Sequence, residues 1–123
     1  MILDLLKLWR FYQPEGVERG GYINRFGEAV ELANHHPEPT KGFDPRTEDL
    51  ALLEEMAIAT FHTHPGGSSN LSDEDYFAFT NWPDLRHYIV GEDGITAYTV
   101  NDQRDVIRES IGSIPRLPEK AVS

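Results

Sequence analysis

The stretch AIATFHTHPGGSSNLSDED, residues 57–75, sets the reading of the whole chain. Residues 57–62 are compact and apolar, as a central strand is. His62 and His64 stand at its exit, and side chains two apart on a strand point to the same face, so both imidazoles converge. Pro65 ends the strand. The Gly/Ser run 66–70 is expected to be a flexible loop that reverses the chain. Ser72 then opens a helix that runs to about Trp82 and stops at Pro83, and its first turn delivers Ser72 and Asp75.

Two neutral imidazoles and one carboxylate form a standard zinc set that leaves a fourth position for water. Zinc lowers the pKa of such a water to roughly 7, so that a carbonyl can be attacked without a protein nucleophile. A nearby carboxylate takes the proton and passes it to the leaving amine, and a hydroxyl at Ser72 steadies the developing oxyanion. Each part also has a plainer use. His-x-His is common near strand ends, Ser-x-x-Asp before an apolar run is a helix capping box, and Gly-Gly-Ser-Ser suits any surface loop. Ser72 can serve both purposes. The order strand, paired histidines, proline, short loop, Ser-x-x-Asp and helix is what favours a metal centre.

Outward from this stretch, Asp44-Pro45 reads as an N-cap and first-turn proline, opening a helix to about Glu55 that turns Leu50 and Leu53 inward. Residues 35–43 (HHPEPTKGF) form an extended loop. Residues 18–24 and 28–34 are two strands about a turn at Asn24–Gly27, and Val30 and Leu32 alternate with Glu31. Residues 2–12 carry Ile2, Leu5, Leu6, Trp9 and Tyr12 at helical spacing, widened by Leu3, Leu8 and Phe11. Such a helix is buried on more than one side or contributes a homodimer contact. Toward the C-terminus, residues 87–91 and 95–100 are strands joined by Glu92-Asp93-Gly94, a hairpin signal. The tail 113–123 is expected to be mobile. Helices and strands thus alternate, which predicts a three-layer α/β/α arrangement around a mixed sheet, with a single domain over residues 1–112.

Composition narrows the function classes. A chain of 123 residues has room for one core. The absence of cysteine excludes disulfides, thiolate zinc sites and cysteine nucleophiles. The net charge of −10 opposes phosphate backbones, so nucleic acid is a poor partner. No apolar run is long enough to cross a bilayer. Asp4, Lys7 and Arg10 interrupt the opening stretch, and no small-residue cleavage site follows, so it reads as a helix of the mature protein in a cytoplasmic compartment.

The segment His62-Thr63-His64-Pro65 with Ser72 and Asp75 resembles the JAMM motif of MPN-type metallopeptidases. Glu18-Arg19-Gly20-Gly21 resembles the Glu-x-Cys-Gly or Glu-x-x-Gly element that opens a strand in that family, with glycine in place of the cysteine. Asn34 at a strand end and Phe43-Asp44-Pro45 before a helix extend the likeness over about residues 14–100. The resemblance implies a cytidine deaminase-like fold, one Zn2+ per chain on His62, His64 and Asp75, Glu18 as base and Ser72 as oxyanion support. Glu15, Glu28 and Glu31 are the alternatives to Glu18. It also implies hydrolysis of a peptide or isopeptide bond in a protein substrate. That substrate is a phage tail component (in the host cytoplasm) or a ubiquitin-like protein, its extended tail accepted beside a loop for which residues 35–45 are the candidate. Deaminase chemistry is disfavoured because its Pro-Cys-x-x-Cys half is absent. The alternative is a non-catalytic scaffold that binds a partner.

Other residues have simpler expected roles. His35 and His36 read as exposed, His87 as structural, Trp82-Pro83 as packing at a helix end, and Tyr76-Phe77-Ala78-Phe79 as core. Asp73-Glu74-Asp75 suits a helix N-terminus better than a calcium site.

Overall fold

The structure is a computed structural model that describes residues 6–110. Ile2, Leu5 and the tail from 113 lie outside those residues. A short helix α1 (Leu6–Trp9) is followed by strands β1 (Gly20–Asn24) and β2 (Ala29–Leu32), a 3-10 turn (Thr47–Asp49), and helix α2 (Leu50–Met56). Strand β3 (Ala57–Thr63), helix α3 (Asp73–Asn81), and strands β4 (Arg86–Gly91), β5 (Gly94–Val100) and β6 (Val106–Ser110) complete the order. The protein is an α/β structure with one mixed sheet in the order β2-β1-β3-β4-β5-β6. All neighbours run antiparallel except β3 and β4.

That single parallel pair positions everything that follows. Parallel neighbours need a crossover, and here it is the loop after β3 together with α3. The crossover puts the N-terminus of α3 at the same end of the sheet as the exit of β3, where open α/β sheets bind their ligands. Strand alternation then divides the sheet. Ile23, Phe61, Tyr88, Val90 and Ile95 pack with Leu8 and Phe11, and the Phe11 ring lies 4.9 Å from that of Phe61. Leu53 of α2 packs with Tyr22 and Leu32, and Phe79 of α3 with Ile89 and Tyr98, on the other face. Thr60, His62 and His87 share that second face, since they alternate with Phe61 and Tyr88.

Several expectations need correction. Asp44 does not cap a helix. Its backbone N–H donates to Asn34 Oδ1 (3.2 Å) and its carbonyl accepts from His35 (2.7 Å), which holds the chain extended as far as Arg46. Leu50 is not turned inward but stands 38% exposed. Within Tyr76–Phe79 only Phe79 is core; Phe77 is 65% exposed. These residues lie on a helix, where each successive side chain turns about 100°, so four in a row cannot share one face. Strand β6 was not anticipated. Asn101 starts its turn by accepting at Oδ1 from the N–H groups of Gln103 and Asp105, with Arg104 at φ 69° between them.

The loop 66–70 is pinned, not loose. Ser69 is buried, its N–H donates to Asp93 Oδ1 (2.8 Å), and its hydroxyl lies 2.7 Å from Thr96 Oγ1. Tyr98 donates its hydroxyl to the Ser69 carbonyl at 2.8 Å. Gly91 makes this possible, because a Cβ there would overlap the backbone of Ser68 and Ser69.

His87 is structural, as its sequence position suggested. It is 1% exposed and stacks on Phe79 with ring centroids 4.2 Å apart. Its Nε2–H donates to the Trp82 carbonyl (3.1 Å), so Nδ1 accepts from the Thr60 hydroxyl (2.7 Å). Burial, against the pull of the Trp82 carbonyl, lowers its pKa to about 4. Between about pH 6.5 and pH 4 the unfolded chain therefore takes up a proton that the folded chain refuses, and stability falls as the pH drops through that window. In urea unfolding with chelator present, the stability lost between pH 7 and pH 5 should be smaller by about 2 kcal/mol in His87→Leu than in wild type. Equal losses in the two proteins would rule out this role for His87.

Candidate metal centre

His62 and His64 flank Thr63 at the end of β3, and both rings turn toward the N-terminus of α3. Their Nε2 atoms are 3.2 Å apart. The Asp75 carboxylate bridges them, with Oδ1 3.0 Å from His62 Nε2 and Oδ2 3.1 Å from His64 Nε2. Asp75 is fixed by a complete capping box. Its N–H donates to Ser72 Oγ at 3.1 Å, and the Ser72 N–H donates to Asp75 Oδ2 at 2.9 Å. Ser72 thus has the capping role that its spacing also allowed.

Glu18 arrives from a different direction. Past the start of β1 the ladder to β3 continues irregularly: the Thr63 N–H donates to the Arg19 carbonyl (2.8 Å) and the Arg19 N–H to Thr63 Oγ1 (3.0 Å). Gly20 permits this close approach, since a Cβ there would lie 2.6 Å from the Phe61 carbonyl oxygen and 2.8 Å from His62 Cβ. The Glu18 carboxylate consequently joins the two imidazoles, with one ligand atom from each of Glu18, His62 and His64 within 4.8 Å of the others. Glu18 is 6% exposed. Burial pushes its carboxyl above the ordinary carboxylate range, and Asp75 adds to the rise while His62 and His64 oppose it. The alternative glutamates are engaged elsewhere or exposed: Glu28 accepts from Asn24, Glu31 pairs with Arg19 at 2.7 Å, and Glu15 faces solvent.

The donor set fits a cation. His64 Nδ1 lies 2.9 Å from the Ser68 carbonyl, which accepts only, so Nδ1 carries the hydrogen. In neutral His64 the Nε2 is then a lone pair, facing a carboxylate oxygen and a second imidazole nitrogen. The close approach of these atoms needs a hydrogen on a ring nitrogen or a metal ion between them. Tetrahedral bonds of about 2.0–2.1 Å place donors about 3.3–3.4 Å apart, close to the separations here. The Ser68 carbonyl plays the part of the outer partner that fixes the tautomer of a ligating histidine. Burial opposes a charged His64, but the hydrogen bond and charge of Asp75 outweigh it and raise the pKa. Burial likewise opposes charge on Asp75, and the two histidines and Ser72 hold its carboxyl well below the usual range.

No family model and no curated protein matches the chain. All five residues singled out in the sequence, Glu18, His62, His64, Ser72 and Asp75, meet at one end of the sheet.

The sequence did not reveal what holds Glu18 in place. Asn34 Nδ2 donates to the carbonyls of Glu18 (2.9 Å) and Gly42 (2.9 Å), while its Oδ1 accepts from the N–H groups of His36 (3.0 Å) and Asp44 (3.2 Å). The Glu18 N–H donates to the Pro39 carbonyl at 2.8 Å. Loop 35–44 is thereby fastened to the base of the site. His36 is not exposed as expected: its side chain is 10% exposed, accepts from the Glu38 N–H, and lies 3.1 Å from Glu74 on α3. The available signal was an asparagine followed by a proline-rich loop, which is common to many turns. Asn34→Ala strands the Glu18 and Gly42 carbonyls and is expected to destabilise the fold by about 1–3 kcal/mol. The same variant should retain its metal, since none of the ligand atoms is touched. Urea unfolding and metal analysis on one preparation check both statements.

Proposed function

We propose that the protein is a zinc-dependent peptidase or isopeptidase of the JAMM type, with one Zn2+ per chain held by His62, His64 and Asp75. The observation that carries this reading is the convergence of two imidazole nitrogens and a carboxylate within 3.0–3.2 Å, beside a second, buried carboxylate that bonds to neither ring. Zinc bound there supplies a Lewis acid that brings the pKa of water to roughly 7. Glu18 takes the proton of the attacking water and delivers it to the leaving amine, from a buried position beside both imidazoles. Ser72, one residue beyond Leu71 at the α3 N-terminus, has its Oγ free to donate a hydrogen bond, because the cap uses that oxygen only as an acceptor.

The mixed sheet, with the ligand pair at the exit of its one parallel junction, supports a deaminase-like arrangement of the JAMM kind. The substrate under this reading is a protein or peptide, either a phage tail component or a ubiquitin-like protein on its conjugate, in the cytoplasm. Among the described residues no helix is long and apolar enough to cross a membrane. The test is to incubate zinc-loaded protein with a proteome-derived peptide mixture and to sequence the new termini by mass spectrometry. Cleavage that chelation abolishes and zinc restores supports the proposal. Full zinc loading with no new termini, from peptides or from lysine-linked conjugates, argues instead for a binding scaffold.

A further inference from the structure

A second feature lies against the same two ligands. On the α2/α3 side of the sheet is a cavity of about 120 Å³, walled by Phe43, Leu53, Phe79 and Trp82, with Leu50 and Ala78 at its more exposed rim. His62 and Asp75 line it as well. The polar groups that reach its wall are already committed. His87 uses both nitrogens, on Thr60 and on the Trp82 carbonyl, and among the described residues every buried side-chain nitrogen and oxygen has a partner. Along the Phe43, Leu53, Phe79 and Trp82 walls a charged or amide side chain would lose water and gain no hydrogen bond.

We infer that this cavity is the recognition site for one bulky apolar side chain, of leucine, methionine or phenylalanine, in the peptide that the centre cleaves. The inference rests on the peptidase reading for its substrate and on the cavity for its chemistry. The size is that of one side chain: at about 120 Å³ the cavity is somewhat smaller than the roughly 150 Å³ that accepts a benzene ring, and its open rim adds room. The location agrees too. Because His62 and Asp75 belong to both the cavity and the ligand cluster, a side chain seated in the cavity keeps its own peptide group within a residue of the metal position. The exposure of Leu50 at the rim then has a use, since it extends the apolar path toward solvent. The predominantly apolar lining separates this preference from that for a glycine-rich tail, which would leave the cavity unfilled.

The test compares N-acetyl-L-leucinamide with N-acetylglycinamide, titrated into isotope-labelled full-length protein, zinc-loaded and chelator-treated, and followed by NMR. The leucine compound should bind at least tenfold more tightly, the ratio expected when a leucine side chain leaves water. Its shifts should centre on the Ala78 methyl and the Trp82 indole N–H. In Ala78→Phe, at an exposed helix position that tolerates the larger ring, the two compounds should bind alike. Equal affinities in wild type, or shifts remote from Ala78 and Trp82, would overturn the inference. A protein that takes no zinc would refute the peptidase reading alone, because the leucine-to-glycine comparison on the metal-free protein still reports on the cavity.

Discussion

Glu18→Gln is expected to slow peptide hydrolysis by about 10²–10⁴-fold while zinc content and unfolding midpoint stay near wild type. Glutamine matches glutamate in shape, and the contacts that hold this segment run through the backbone: the Glu18 N–H to Pro39 and the Glu18 carbonyl from Asn34. The substitution therefore removes proton acceptance and little else. A neutral amide in this buried position also avoids the desolvation that raises the carboxyl pKa. Because the base must be ionised to act, the wild-type rate should rise with pH on the acid side through a limb that belongs to Glu18, and this limb should be lost in the variant. The measurement is a pH–rate profile with metal analysis of the same samples. Loss of zinc in Glu18→Gln would show that Glu18 is a ligand, not a base.

Asp75→Ala should lower zinc affinity by more than the 10–100-fold that loss of an outer partner costs, because Asp75 is itself a donor. It also faces both imidazoles, at 3.0 and 3.1 Å, and without it the Glu18 carboxylate alone is left to balance a divalent ion beside two neutral nitrogens 3.2 Å apart. The same substitution removes half of the capping box of α3, at about 1 kcal/mol of stability. Ser72→Ala separates the two effects, since it loses the cap bond from the Asp75 N–H but keeps the carboxylate. Competition with a chromophoric chelator should find Ser72→Ala close to wild type in affinity and Asp75→Ala far below. Comparable affinities for wild type and Asp75→Ala would remove Asp75 from the ligand set.

The residues of the centre were legible because their geometry is local. Residues two apart on a strand share a face, and a Ser-x-x-Asp box starts a helix, so the His62/His64 pair and the Ser72/Asp75 box follow from sequence spacing, while their meeting depends on the crossover after β3. Glu18 was less legible. Its place depends on a ladder between residues 44 apart, Arg19 and Thr63, which no local pattern encodes. The strands over β1 to β5 were readable from apolar runs and turn residues, whereas β6 (VIRES) runs two aliphatic residues into two charged ones and a serine, with no period of two, and forms an edge of the sheet. Helix α2 begins later than its Asp-Pro signal because the Asp44 carbonyl, which would accept the first helical bond, accepts from the His35 N–H instead, a tertiary hydrogen bond overriding a propensity. Loop 66–70 read as flexible from its glycines and serines. Its order comes from Asp93, Thr96 and Tyr98, all distant in sequence.

X-ray absorption at the zinc edge, on protein loaded to one equivalent, addresses the metal centre most directly. The expected first shell is two imidazole nitrogens and two oxygens at about 2.0–2.1 Å, one oxygen from Asp75 and one from water, with the imidazole signal lost in a His62→Ala, His64→Ala double variant. A shell without imidazole scattering, or one unchanged in that double variant, would contradict the assignment.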